Sequence, residues 1–179
     1  MLKLYKKGPK GLQYWEAWQD NKDIVVHWGT VGDTGQDKKL RLKAGEDADS
    51  RIEQESQSAR ADGFEEIEPN SELVLQYKCD GWGSANDLEK RHQIEDLMNE
   101  CLGWTGNGHC DGGDIGSGSM NVYCYVVDRL AGVEAVIAKL REVNLLDGAL
   151  IASKHNVENE DEQYKVHWPL NFSGEFSPV

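Results

Sequence analysis

The sequence predicts an α+β protein built in two parts, residues 1–68 and residues 69–179. Three observations carry that expectation. Residues 1–45 set aromatic and β-branched runs between Gly-, Asn- and Asp-rich turns, and one helical stretch free of Gly and Pro follows them. The run Glu68-Pro69-Asn70-Ser71 is a turn-rich junction. Beyond it, strand and helix patterns succeed one another as β-α-β-β-α-β, with one more strand appended. A chain of 179 residues with 39% hydrophobic side chains spread along its length has enough apolar surface for a packed core.

In the first part, residues 1–6 open a strand that turns at Gly8-Pro9-Lys10-Gly11. Residues 12–19 carry Tyr14, Trp15 and Trp18 up to a second turn, Asp20-Asn21-Lys22-Asp23. The run Ile24-Val25-Val26-His27-Trp28 is β-branched and apolar, a strand. Residues 38–43 (KKLRLK) alternate charge with Leu40 and Leu42, so Lys39, Arg41 and Lys43 fall on one face and the leucines on the other. Residues 47–61 form the helix, with Ala48, Ile52 and Ala59 as a thin apolar stripe. Gly63 ends it, and Phe64 folds back onto the sheet.

The stretch His27-Trp28-Gly29-Thr30-Val31-Gly32-Asp33-Thr34-Gly35-Gln36 resembles the signature loop of the WGR domain. The likeness runs on through the Lys/Arg-Leu strand and the helix to Ala61-Asp62-Gly63-Phe64, about 65 residues. WGR domains occur in poly(ADP-ribose) polymerases and in bacterial proteins similar to the molybdate-metabolism regulator. The resemblance implies a non-catalytic module that binds nucleic acid or a protein partner. It points to Trp28, Gly29, Thr30, Lys38, Lys39, Arg41 and Lys43 as the binding residues. The third signature position, usually Arg, is Thr30 here. A guanidinium bridges phosphates bidentately and a hydroxyl does not.

In the second part, residues 72–79 (ELVLQYKC) read as a strand broken by Asp80-Gly81-Trp82-Gly83. Ser84, or Asn86 with Asp87, caps a helix running to about Leu102. Its expected stripe is Leu88, Arg91/His92, Glu95, Met98 and Leu102, widened by Ile94, Leu97 and Cys101. Residues 103–118 hold seven glycines and a short strand at 109–115, and residues 120–128 (MNVYCYVVD) are the plainest strand of the chain. A helix over 131–143 carries Val133, Val136, Ile137 and Leu140 on one face. A strand centred on Ala149-Leu150-Ile151 follows, then an acidic loop at 156–162, and an edge strand at 164–168 that Pro169 ends. This order predicts a ferredoxin-like two-layer domain, with an antiparallel sheet and both helices on one face. The Gly-rich run 110–121 resembles a recurrent segment of small bacterial proteins, a likeness to which no activity attaches.

Chemistry-bearing residues of this half point weakly to sites. His109, Asp111 and Asp114, beside Cys110, are competent metal ligands, but their spacing suits a turn-rich hairpin better than one ion. The run GGDIGSGS precedes a strand rather than a helix, which excludes a P-loop or Rossmann fingerprint. Tyr123 and Tyr125 alternate with Val122, Cys124 and Val126, so both sheet faces need cover. The helix-free face is expected to bury against the first part, the C-terminal segment with Trp168 and Phe172, or a second copy of the chain.

Charge narrows the function classes. Residues 1–45 carry nine Lys or Arg against five Asp or Glu, a net +4, and residues 46–179 carry ten against 27, a net −17. A chain at −13 overall repels phosphate except where a local basic face acts. No apolar run approaches a membrane span, and the start of the chain turns to Gly and Pro without an apolar core, so no membrane segment or secretory leader is expected. Four cysteines without a CxxC pair fit a cytoplasmic protein with reduced thiols. The expected function is a non-enzymatic interaction protein without cofactor. Its WGR-like module takes nucleic acid or a protein partner in a regulatory role. The alternative is an acidic inhibitor or toxin-neutralising protein that acts through its second half.

Overall fold

The structure is a computed structural model that describes residues 1–154 and 163–178. The acidic loop expected at 156–162 lies outside the described residues. The protein is α+β, with three helices and two antiparallel sheets of four and five strands among the described residues. The chain divides into two compact units, Met1–Glu68 with Trp104–Gly106, and Pro69–Gly103 with Asn107–Val179.

In the first unit, β1 (Leu2–Gly8), β2 (Gly11–Asp20), β3 (Asp23–Thr30) and β4 (Gln36–Arg41) form a meander in sequence order. Two-residue turns join the first three strands, pairing Gly8 with Gly11 and Asp20 with Asp23. The helix α1 (Ala48–Ala61) starts at Asp47, whose side chain accepts from Ser50 N at 2.8 Å. That hydrogen bond holds the Asp47 carboxyl below its usual range. Ile52 and Ala59 are buried on the side of the sheet that carries Ala17, Ile24 and Val26. After the helix the chain returns to β1, where Tyr5 and Glu65 exchange backbone hydrogen bonds of 2.7 and 2.9 Å. The opposite sheet face holds Tyr5, Tyr14, Glu16, Trp18 and His27. Tyr5 donates from its hydroxyl to the Gly106 carbonyl at 3.1 Å, and Trp104 meets Trp18 and His27 edge-on.

The second unit begins with β5 (Ser71–Lys78) and continues through α2 (Ala85–Trp104), β6 (Gly108–Gly116), β7 (Ser119–Val126), α3 (Arg129–Glu142), β8 (Ala149–Lys154) and β9 (Lys165–Trp168). The sheet order is β6-β7-β5-β8-β9. Ser84 and Asp87 cap α2 reciprocally, with Ser84 N donating to Asp87 Oδ2 at 2.7 Å and Asp87 N to Ser84 Oγ at 3.3 Å. Asp128, expected as the end of a strand, instead caps α3 by accepting from Leu130 N and Ala131 N. One core joins Leu73, Leu75, Val122 and Val126 of the sheet to Ile94, Met98 and Leu102 of α2 and to Val133, Val136 and Leu140 of α3.

The apolar phase of α2 differs from the expected stripe. Ile94, Met98 and Leu102 are its buried residues, while Leu88 is 45% exposed. Arg91 and Glu95 are partly buried and pair with each other at 3.0 Å rather than joining the apolar core. The thiol expectation is also corrected, because Cys110 and Cys124 form a disulfide across β6 and β7, with Cys79 and Cys101 outside it. Among the described residues no helix is long and apolar enough to cross a membrane.

Candidate partner-binding cleft

Strand alternation decides which of the expected binding residues share a surface. The turn at Asn21-Lys22 sets Trp15 opposite Trp28, on the face that carries α1. Lys38 lies opposite Val26 on the same face. Trp15, Trp28, Gly29, Thr30 and Lys38 line a cleft of about 550 Å³ together with Glu55 of α1 and with Asp62 and Phe64, which follow it. Both tryptophans are half-buried. Lys38 Nζ lies 3.3 Å from Glu55, which also accepts from Arg51 at 2.8 Å. Lys6 pairs with Asp62 at 2.9 Å and rests 5.7 Å from the centroid of Phe64. The cleft therefore offers flat aromatic surface beside charges that are already balanced, a chemistry suited to amphipathic groups.

Lys39 and Arg41 are on the other face. Lys39 pairs with Asp20 at 3.0 Å and Arg41 with Asp23 at 3.0 Å. The Asp20 carboxylate holds the Lys39 ammonium above its ordinary range. Lys43 lies past the end of β4, and its backbone N–H donates to Glu46 at 2.8 Å. The structure gathers Trp28, Gly29, Thr30 and Lys38 into one cleft and leaves Lys39, Arg41 and Lys43 outside it. β4 is an edge strand, and Lys side chains on an edge also deter pairing with another chain.

Behind the cleft, a buried polar network fixes the Trp28 loop. His27 Nδ1 lies 2.7 Å from Glu16 Oε1, and Glu16 Oε2 lies 3.0 Å from Lys3 Nζ. His27 Nε2 lies 2.6 Å from the Thr34 carbonyl oxygen and 2.9 Å from the Tyr14 hydroxyl. Tyr14 also donates to the Asp33 carbonyl at 3.3 Å. Burial raises the Tyr14 phenol above its usual range, and the Glu16 charge adds to the shift. The loop after β3 is thus tied to two side chains of the sheet.

No family model matches the chain, and neither a curated protein nor a solved structure matches it.

The second-half candidates serve other ends. Asp114 accepts from Asn121 Nδ2 at 2.7 Å and from the Tyr123 hydroxyl at 2.8 Å. His109 is exposed and stacks obliquely on Tyr125, while Cys110 is spent in the disulfide. Among the described residues no three His, Cys, Asp or Glu side chains are placed to hold a metal ion. Tyr125 and Tyr164 both donate to Glu72. On the helix-free face, the C-terminal segment meets the sheet through Tyr164, which reaches Glu72, and through Ser177, whose carbonyl accepts from Gln76 at 3.4 Å, while Trp168 packs against the core.

Sequence reasoning missed Trp15, Glu55, Asp62 and Phe64 as cleft residues. The turn that pairs Asp20 with Asp23 carried the signal for Trp15, since the same register sets Trp15 against Trp28. Nothing local announces Glu55 or Asp62, which reach the cleft only through the packing of α1.

Proposed function

We propose that the protein is a non-enzymatic interaction protein whose WGR-like first unit takes a polypeptide segment of a partner in the Trp28 cleft. The observation that carries this reading is the convergence of Trp15, Trp28, Thr30 and Lys38 on one concave, half-apolar surface. Peptide recognition uses such surfaces, with aromatic rings for apolar side chains and a polar rim for register. The ion pairs of Lys38, Lys39 and Arg41 favour a peptide over a phosphate backbone, because each cation already has a carboxylate. The strand order β6-β7-β5-β8 and the single core beneath α2 and α3 support a ferredoxin-like second unit, with β9 as the appended strand.

The test is selection of random peptides on the full chain, repeated on Trp28→Ser and Lys38→Glu variants. We expect a consensus with an aromatic or long aliphatic anchor that is lost on Trp28→Ser. The reading fails if selected peptides bind the Trp28→Ser variant as tightly as the parent, or if no consensus emerges while the chain binds DNA.

A further inference from the structure

A second cleft, of about 800 Å³, opens within the second unit where β5 ends and β8 begins. It shares no lining residue with the Trp28 cleft. Tyr77, Trp168 and Phe172 supply its aromatic surface, and Lys78, Lys90 and Asp147 supply its charges. Tyr77 is a fixed wall, because its ring is buried and its hydroxyl donates to the Leu145 carbonyl at 2.7 Å. Lys90 Nζ lies 3.9 Å from the centroid of that ring. Trp168 packs against the core of the unit, and the Arg141 guanidinium lies 6.0 Å from its centroid. A turn closed by Phe172 N donating to the Pro169 carbonyl at 3.1 Å sets Phe172 beside them.

The charge of the site runs against that of its surroundings. Residues 69–179 carry eight Lys or Arg against eighteen Asp or Glu. Arg91 and Lys139 are neutralised by Glu95 and Glu142 on their own helices. Among the described residues Lys78, Lys90, Arg129, Arg141 and Lys165 make no salt bridge. Lys78 and Lys90 line the cleft with a single carboxylate, Asp147, and Arg141 faces its tryptophan. A neutral apolar ligand would desolvate the ammonium groups and return nothing to them. A cationic ligand would be repelled. A volume of this size takes one ring-bearing small molecule.

We infer that this cleft binds a small, flat aromatic anion, with its ring against Trp168 and Phe172 and its negative group between Lys78 and Lys90. An aryl carboxylate and a nucleoside monophosphate share that chemistry, and the experiment separates them. The full chain is titrated calorimetrically with 2-naphthoate and with adenosine 5′-monophosphate. 2-Naphthylmethanol and adenosine serve as the uncharged counterparts. At least one anion is expected to bind with a submillimolar Kd, and its uncharged counterpart about tenfold or more weakly. Lys78→Gln with Lys90→Gln should weaken the anion by about tenfold or more, whereas Lys38→Gln in the first unit should change nothing. Lys78 is exposed, so Lys78→Gln alone keeps the test valid should the double variant lose its circular dichroism spectrum. The inference is overturned if neither anion binds at about 5 mM, if the uncharged counterpart binds equally, or if a folded lysine variant binds unchanged.

Discussion

At Gly35 the backbone adopts φ +69°, and a Cβ there would lie 2.2 Å from the Tyr14 hydroxyl and 2.5 Å from the Trp28 carbonyl oxygen. Gly45 is also left-handed, at φ +80°, but has nothing within 4 Å. The pair separates backbone strain from steric contact. Gly45→Ala should cost about 1 kcal/mol, the strain alone. Gly35→Ala should cost about 2–4 kcal/mol, because the loop must also move off Tyr14. Urea unfolding measures both, and equal losses would mean that the loop yields freely and that Tyr14 does not hold it. The glycine itself was legible as part of the signature run, and so was the turn-forming character of residues 29–35. Its cause was not, because Tyr14 lies two strands back and the His27 ring touches Glu16, Thr34 and Tyr14 only once β2 and β3 are paired. A motif that reads as a binding signature is here, in large part, the device that holds its own loop.

Registers explain what could be read at the scale of elements. Where a two-residue turn joins two strands, every pair follows from the turn, and Trp15 opposite Trp28 is legible in Asp20-Asn21-Lys22-Asp23. The β6–β7 hairpin begins the same way, with Ser117 and Gly118 both at positive φ between Gly116 and Ser119. Counting on from that turn would set Cys110 against Tyr125. A bulge between Cys110 and Gly113 shifts the register by one residue, brings Cys110 opposite Cys124 and turns both toward the helices. The disulfide was illegible because the bulge was. In α2 the apolar residues were all identified, but Arg91 and Glu95 drew the expected stripe off Ile94, which sits at the centre of the core. A thiol titration of the purified, denatured and unreduced protein should therefore find two titratable thiols, those outside the disulfide, and four after reduction. Replacing Cys110 and Cys124 by Ser should lower stability by about 3 kcal/mol, the loop-closure contribution for a cross-link of this span. Four free thiols without reduction would restore the reduced state expected from composition.

Over the whole molecule, charge bears on the two partner classes that the WGR likeness leaves open. The net +4 of residues 1–45 suggested a basic face, but folding brings acids of the same unit onto it. Residues 1–68 carry eleven Lys or Arg against fourteen Asp or Glu, a net −3. Glu55 meets Lys38, Asp62 meets Lys6, Asp20 meets Lys39 and Asp23 meets Arg41. Such exposed pairs add little stability, yet each lowers the number of cations free to displace counterions from a phosphate backbone. Duplex DNA labelled with a fluorophore should accordingly show no anisotropy change with the protein at about 150 mM salt, where the non-specific term is weak even for basic proteins. Freeing two cations by Asp20→Asn with Asp23→Asn should produce binding at about 20 mM salt that falls steeply as salt rises, since a protein contacting Z phosphates loses affinity in proportion to Z. If the parent protein instead binds at about 150 mM salt and Lys39→Glu abolishes it, the carboxylates exchange for phosphate on contact. The edge strand β4 would then be the working surface of the first unit in place of the Trp28 cleft.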